Sequence, residues 1–172
     1  MKFVVDCMLG KLAKWLKILG FDVVYFNRAE DDALLALART EGRWLLTRDH
    51  RLQDRARDIS VLLIASERWE EQLSQVLEEL DLRRFVNPYS RCIDCNVRLK
   101  ALSKRRVKNL VAPFVYERAT SFAICPACGR VYWQGTHFED MERKVGEILG
   151  GQKRRKESDK NINIKTKKEV RR

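Results

Sequence analysis

Short apolar runs alternate along the first half of the chain with longer stretches in which apolar residues recur at helical spacing. Phe3-Val4-Val5 is a β-prone run that ends in Asp6. Residues 8–19 then place Leu12, Trp15, Leu16 and Leu19 on one helical face, and Gly20 is a natural C-terminal stop. Val23-Val24-Tyr25-Phe26 reads as a second strand. Asp31 or Asp32 opens a helix carrying Leu34, Leu35, Leu37 and Ala38, which Gly42 ends. Trp44-Leu45-Leu46-Thr47 is a third strand running into Arg48-Asp49. Residues 50–58 are polar and helical in pattern. Val61-Leu62-Leu63-Ile64 is a fourth strand, and residues 67–81 a fourth helix with Trp69, Leu73, Val76, Leu77 and Leu80 inward.

The order is βαβαβαβα. Strands that are apolar throughout, joined by helices, predict a parallel α/β sheet with helices on both faces. In such sheets a ligand lies at the carboxyl ends of the strands, where the strand order reverses. Asn87-Pro88 marks a boundary, so residues 1–88 form the expected α/β domain, 89–149 a second region with a closing helix, and 150–172 a tail. The tail is nearly free of apolar residues and reads as disordered.

Charge sharpens this division. The chain carries a net charge of +11, yet residues 1–88 hold 14 Lys+Arg against 15 Asp+Glu. The excess falls in residues 89–150, with 11 against 6, and in residues 151–172, with 10 against 3. A basic half joined to a neutral half points to a polyanionic partner, most simply nucleic acid. For the tail alone, a purely solubilising role is the competing reading. No run is long enough to span a membrane, and Met1-Lys2-Phe3-Val4-Val5-Asp6 has no signal-peptide core, so a cytoplasmic location is expected.

The second region holds Cys92-x-x-Cys95 and, after 29 intervening residues, Cys125-x-x-Cys128. Two such pairs supply four thiolates for a closed, structural tetrahedral Zn²⁺ site. Between and after them lie Arg98, Lys100, Lys104, Arg105 and Arg106, which can neutralise phosphates, and Tyr132 and Trp133, which either stack on bases or fill the ribbon core. His137 is an RNA contact or a local hydrogen-bond partner. Cys7 stands alone and reads as a packing residue.

The acids point to a different metal. Asp6 follows strand one, Asp31 and Asp32 open the helix after strand two, and Asp49 follows strand three. Carboxylates gathered on one sheet edge repel unless a cation lies between them, and Mg²⁺ or Mn²⁺ prefers such oxygen donors. A cation held there activates water and stabilises the leaving oxygen of a phosphodiester. The competing role for Asp31, Asp32 and Asp49 is helix capping. Asp54 is a candidate fourth acid. Lys11, Lys14 and Arg48 lie close in sequence to these acids and are candidate phosphate contacts.

The stretch Asp6-Cys7-Met8-Leu9-Gly10-Lys11-Leu12-Ala13, then Asp31-Asp32-Ala33-Leu34-Leu35, then Leu46-Thr47-Arg48-Asp49, resembles the Mut7-C RNase domain family. So do the paired knuckles followed by Tyr132-Trp133-Gln134-Gly135-Thr136-His137. The resemblance covers residues 1–148. It implies a PIN-like fold with a C-terminal zinc ribbon, Mg²⁺- or Mn²⁺-dependent ribonuclease activity, and Asp6, Asp31 and Asp49 as the acidic positions. The alternative function is a non-catalytic RNA-binding or ribosome-associated protein that works through the ribbon and the basic tail.

Overall fold

The computed structural model describes residues 1–135 and 138–150. The chain divides into two compact units, Met1–Gly135 and Thr136–Arg172. In the second unit residues 138–150 form a helix, on which Arg143 pairs with Glu147 at 2.9 Å. His137 and the basic tail at 151–172 lie outside the described residues.

The first unit opens with β1 (Lys2–Val5), α1 (Gly10–Ile18), β2 (Asp22–Tyr25), α2 (Asp31–Glu41), β3 (Trp44–Thr47), α3 (His50–Arg55), β4 (Val61–Leu63) and α4 (Trp69–Glu79). All four strands are parallel, in the order β2-β1-β3-β4. From β1 the chain moves outward to β2, then returns across β1 to β3. The strand order therefore reverses between β1 and β3.

Side chains alternate across each strand, and two cores result. Val4 and Leu45 are partners in register, and both join Leu34, Leu35 and Ala38 of α2 with Leu52 and Ala56 around α3. The opposite face is left to α1 and α4. These helices pack through Trp15 and Trp69, whose rings stack at 4.8 Å and 7°. Several boundaries shift by one or two residues from the sequence pattern, and two shifts have a visible cause. Cys7–Leu9 form a 3₁₀ turn rather than the start of α1, because Leu9 N–H bonds back to the Asp6 carbonyl. The helix expected over 50–58 stops at Arg55, since Ala56 is buried in the core and the chain turns there towards β4.

The same unit continues into the cysteine region: β5 (Lys100–Leu102), α5 (Lys104–Val107), α6 (Pro113–Arg118), β6 (Phe122–Ile124) and β7 (Val131–Trp133). The three strands form an antiparallel sheet in the order β5-β6-β7. Val107, Val115, Ala119 and Phe122 make its small core.

The two sheets are joined by a polar junction at the start of β2. Asn96, in the first knuckle, accepts a hydrogen bond from Val23 N–H at 3.0 Å and donates to Asp22 at 2.9 Å. Arg91 donates to the Gly20 carbonyl and to the Asn96 carbonyl. Asp22 also pairs with Arg43, a guanidinium only 7% exposed that reaches Glu41 and the Phe3 carbonyl as well. Burial alone would raise the Asp22 carboxyl, but hydrogen bonds from Arg43 and Asn96 outweigh it and hold the group below the usual carboxylate range. Asn96 thus fills a backbone donor on the outer strand of the parallel sheet.

Gly20 makes the junction close. Its φ is +91°, and a Cβ there would lie 2.1 Å from the Asn87 carbonyl oxygen. Asn87 N–H bonds to the Leu19 carbonyl, so the approach is fixed. Gly20→Ala is expected to destabilise the protein by more than about 1 kcal/mol, through both the left-handed backbone and the clash. Denaturant unfolding measures it.

Candidate functional site

Asp6 and Asp49 follow the carboxyl ends of β1 and β3, the neighbouring strands between which the strand order reverses. Asp6 N–H extends the ladder by bonding to the Leu46 carbonyl at 3.0 Å. Its carboxylate is nearly enclosed, the residue being 6% exposed. Thr47, fully buried at the end of β3, links the two acids. Its hydroxyl donates to Asp6 Oδ2 at 2.7 Å and accepts from Asp49 N–H at 3.0 Å. Asp49 caps α3, with Oδ1 accepting from Arg51 N–H at 2.7 Å. The capping role and a place at the site are therefore compatible for this residue.

Asp31 stands apart. Glu30 is the N-cap of α2, so Asp31 and Asp32 are first-turn residues rather than caps, favoured there by the helix dipole. Arg55 of α3 holds both, with Nη1 to Asp31 Oδ2 at 3.0 Å and Nη2 to Asp32. Among the described residues the three acids do not form a group close enough to share one ion; the four cysteines are the group that does. Asp54 is exposed on α3, and Asp58 forms a two-bond pair with Arg39.

The cations near the acids have mixed duties. Lys11 lies over the Trp69 ring at 5.2 Å, Lys14 is exposed, and Arg48 pairs with Glu67 at 3.0 Å. Cys7 is exposed rather than packed inside. A hydrogen bond with the Asp6 carboxylate, and then burial, push its thiol above the usual range, which disfavours a thiolate nucleophile.

The four cysteines expected to hold zinc are brought together as their spacing implies. The four Sγ atoms lie within 4.8 Å of one another. Cys92 Sγ and Cys128 Sγ are 3.8 Å apart, the edge expected of a tetrahedron with Zn–S bonds of about 2.3 Å. Each knuckle turns the same way. Asn96 N–H bonds to the Cys92 carbonyl and Gly129 N–H to the Cys125 carbonyl, both at 2.9 Å. Asn96 and Gly129 have φ of 61° and 72°, a region open to Asn and Gly. The donor set and its geometry fit Zn²⁺.

Tyr132 belongs to this centre. Its hydroxyl lies 3.1 Å from Cys92 Sγ, to which it donates, and accepts from Ile93 N–H at 3.3 Å. Burial opposes a charged Cys92, but hydrogen bonds from Tyr132 and from the Cys95 and Asp94 amides outweigh it and lower the thiol to about 6. Tyr132 is therefore a ligand-orienting residue and not a free stacking ring, whereas Trp133 is 43% exposed. Tyr132→Phe is expected to weaken zinc binding about tenfold or more, read by competition with a chromogenic chelator.

Of the ribbon cations, Arg98, Lys100, Arg105 and Arg106 are exposed. Lys104 is engaged locally, on the Glu117 and Ala119 carbonyls at 3.4 and 3.3 Å and over the Tyr116 ring. Sequence reasoning passed over Thr47, Arg55, Asp22 and Asn96. Only Thr47 left a signal, a hydroxyl at a strand end two residues before an acid.

These features define an α/β protein with a four-stranded parallel sheet, acids at its switch point, and a four-cysteine cluster near the C-terminus consistent with a zinc ribbon. The Mut7-C RNAse domain family matches residues 1–145, and the chain belongs to that family. Searches of curated proteins and of solved structures returned no match. Membership suggests a nuclease, with RNA as the substrate. No helix among the described residues is long and apolar enough to cross a membrane.

Proposed function

We propose that this protein is a metal-dependent ribonuclease that hydrolyses RNA phosphodiesters at Asp6 and Asp49, with Asp31 as the third acidic position. One observation carries it. Asp6 is a carboxylate buried at the switch point with no cationic partner among the described residues. Buried carboxylates elsewhere are paired with cations or bind metals. The hard oxygen donors of Asp6 and Asp49 suit Mg²⁺ or Mn²⁺. Such an ion, when bound, supplies an activated water and charge stabilisation at the phosphate.

The chain's own residues do the rest. Thr47 fixes the Asp6 carboxylate in one orientation and ties it to the Asp49 backbone. The α3 cap holds Asp49. Arg55 neutralises Asp31 and Asp32 at the rim, reducing repulsion of an incoming phosphate. Lys14 and Arg48 are candidate phosphate contacts, and the ribbon cations Arg98, Lys100, Arg105 and Arg106 bind RNA away from the acids. The test is cleavage of labelled single-stranded and structured RNA by the purified chain with and without Mn²⁺. Mn²⁺-dependent products support the proposal, and binding without turnover favours the non-catalytic RNA-binding alternative.

A further inference from the structure

The two knuckles are separated by more chain than a ribbon needs, and that chain folds into a helical hairpin with an unusual surface. α5 and α6 pack through Val107, Val115 and Ala119 against Phe122 of β6. Lys104, at the start of α5, bonds the last carbonyls of α6, so the helices run in opposite directions. The end of α5, the turn after it and the start of α6 therefore form a tip.

The tip exposes large apolar side chains: Phe114 is 64% and Leu110 55% exposed. The same short segment carries cations. Arg105, Arg106 and Lys108 are exposed, and none has an acidic partner among the described residues. Phe114 and Arg118 lie one helical turn apart on α6 and both are exposed, while Val115 between them is buried. Apolar side chains exposed singly are ordinary, but apolar side chains exposed together within a polar surround mark interaction sites, and Phe114 and Leu110 stand four residues apart at this tip. An unpaired basic surface carrying an accessible ring matches what single-stranded nucleic acid requires: phosphates for the cations and a base for the ring.

We infer that the α5–α6 hairpin is a single-stranded-RNA binding element, with Phe114 as the platform on which an unpaired base stacks and Arg105, Arg106 and Lys108 as phosphate contacts. It deepens the proposed nuclease function and rests on RNA being the substrate. Stacking is thereby moved from Tyr132, which serves the zinc centre, to a residue between the knuckles. Duplex RNA presents no free base face, so the element selects single strands.

The test is binding, measured on the full zinc-loaded chain without added Mg²⁺ or Mn²⁺. The probes are a short fluorescein-labelled single-stranded RNA and the matching duplex, followed by anisotropy over a series of salt concentrations. Phe114→Ala is expected to weaken single-strand binding about tenfold, within the range for loss of one stacked base, and to leave duplex binding and the salt slope unchanged. Phe114→Trp is expected to restore affinity. Arg105→Gln with Arg106→Gln is expected to lower the salt slope by about 0.7 per cation removed. Unchanged single-strand binding in Phe114→Ala, or equal losses on single strand and duplex, would overturn the inference and leave the tip as a surface for a protein. Because no turnover is read, this outcome is separate from whether the acids cleave. Phe114 is exposed, so its loss leaves the fold intact, and an unchanged melting temperature checks that.

Discussion

Asp6→Asn is expected to reduce Mn²⁺-dependent RNA cleavage by at least about a hundredfold, because a divalent cation at a reacting phosphate contributes several kcal/mol. The substitution is chosen for what it preserves. An asparagine carbonyl can still accept the Thr47 hydroxyl bond that Asp6 Oδ2 now takes at 2.7 Å. Shape and volume are unchanged. What disappears is a negative charge enclosed at a residue 6% exposed. Removing an unpaired buried charge relieves desolvation, so the melting temperature is expected to stay level or rise. RNA binding through the ribbon is expected to persist. Cleavage at the parent rate would remove Asp6 from the chemistry. Asp31→Asn makes a useful companion, since Asp31 is half exposed and already paired with Arg55.

Removing zinc is expected to weaken the parallel sheet as well as the ribbon. A four-thiolate site of this kind contributes on the order of 10 kcal/mol to the fold that encloses it. Here the first knuckle does more than enclose the ion. Its turn positions Asn96, whose side chain bonds both Val23 N–H and Asp22 on the outer strand β2. Arg91 adds bonds to Gly20 and Asn96 from the same knuckle. Loss of the ion releases these groups together and leaves polar groups at the junction without partners, each costing about 1–3 kcal/mol. Cys125→Ser, or exhaustive chelation, is expected to lower the melting temperature by at least about 10 °C, taking about 2–4 °C per kcal/mol at this chain length. Hydrogen exchange locates the effect. Val23 N–H should lose protection, while Leu46 and its neighbours in the central strand keep theirs. Unchanged protection at Val23 would mean the two sheets are energetically independent.

Which parts of this protein were legible without coordinates follows from how far each interaction reaches. The four apolar runs and the helices between them were readable because strand and helix periodicity are local properties of backbone geometry. The cysteine pairs were readable because chelation imposes fixed spacing. Helix ends were less so. Arg55 ends α3 only because Ala56 must bury itself beside Leu52 and Val4. The dual part played by Tyr132 was open in the sequence, since a ring next to a knuckle either stacks outward or bonds inward. Tertiary proximity to Cys92 decided it.

The acids show the division most clearly. Their positions after successive strands are a property of the chain, and so is the expectation that they share the carboxyl edge of a parallel sheet. Lateral order is not. Only the arrangement β2-β1-β3-β4 sets Asp6 beside Asp49 with Thr47 between them, and leaves Asp31 to Arg55. The junction at Asp22 and Asn96 joins residues 74 apart in sequence, with no local signature at either end. By itself the sequence determined the elements, the ligand set for zinc and the asymmetry of charge, because those depend on neighbours along the chain. The tertiary structure decided which acids Thr47 ties together, which cations remain unpaired and how the knuckle grips the sheet, because those depend on contacts between distant segments made by strand pairing and core packing.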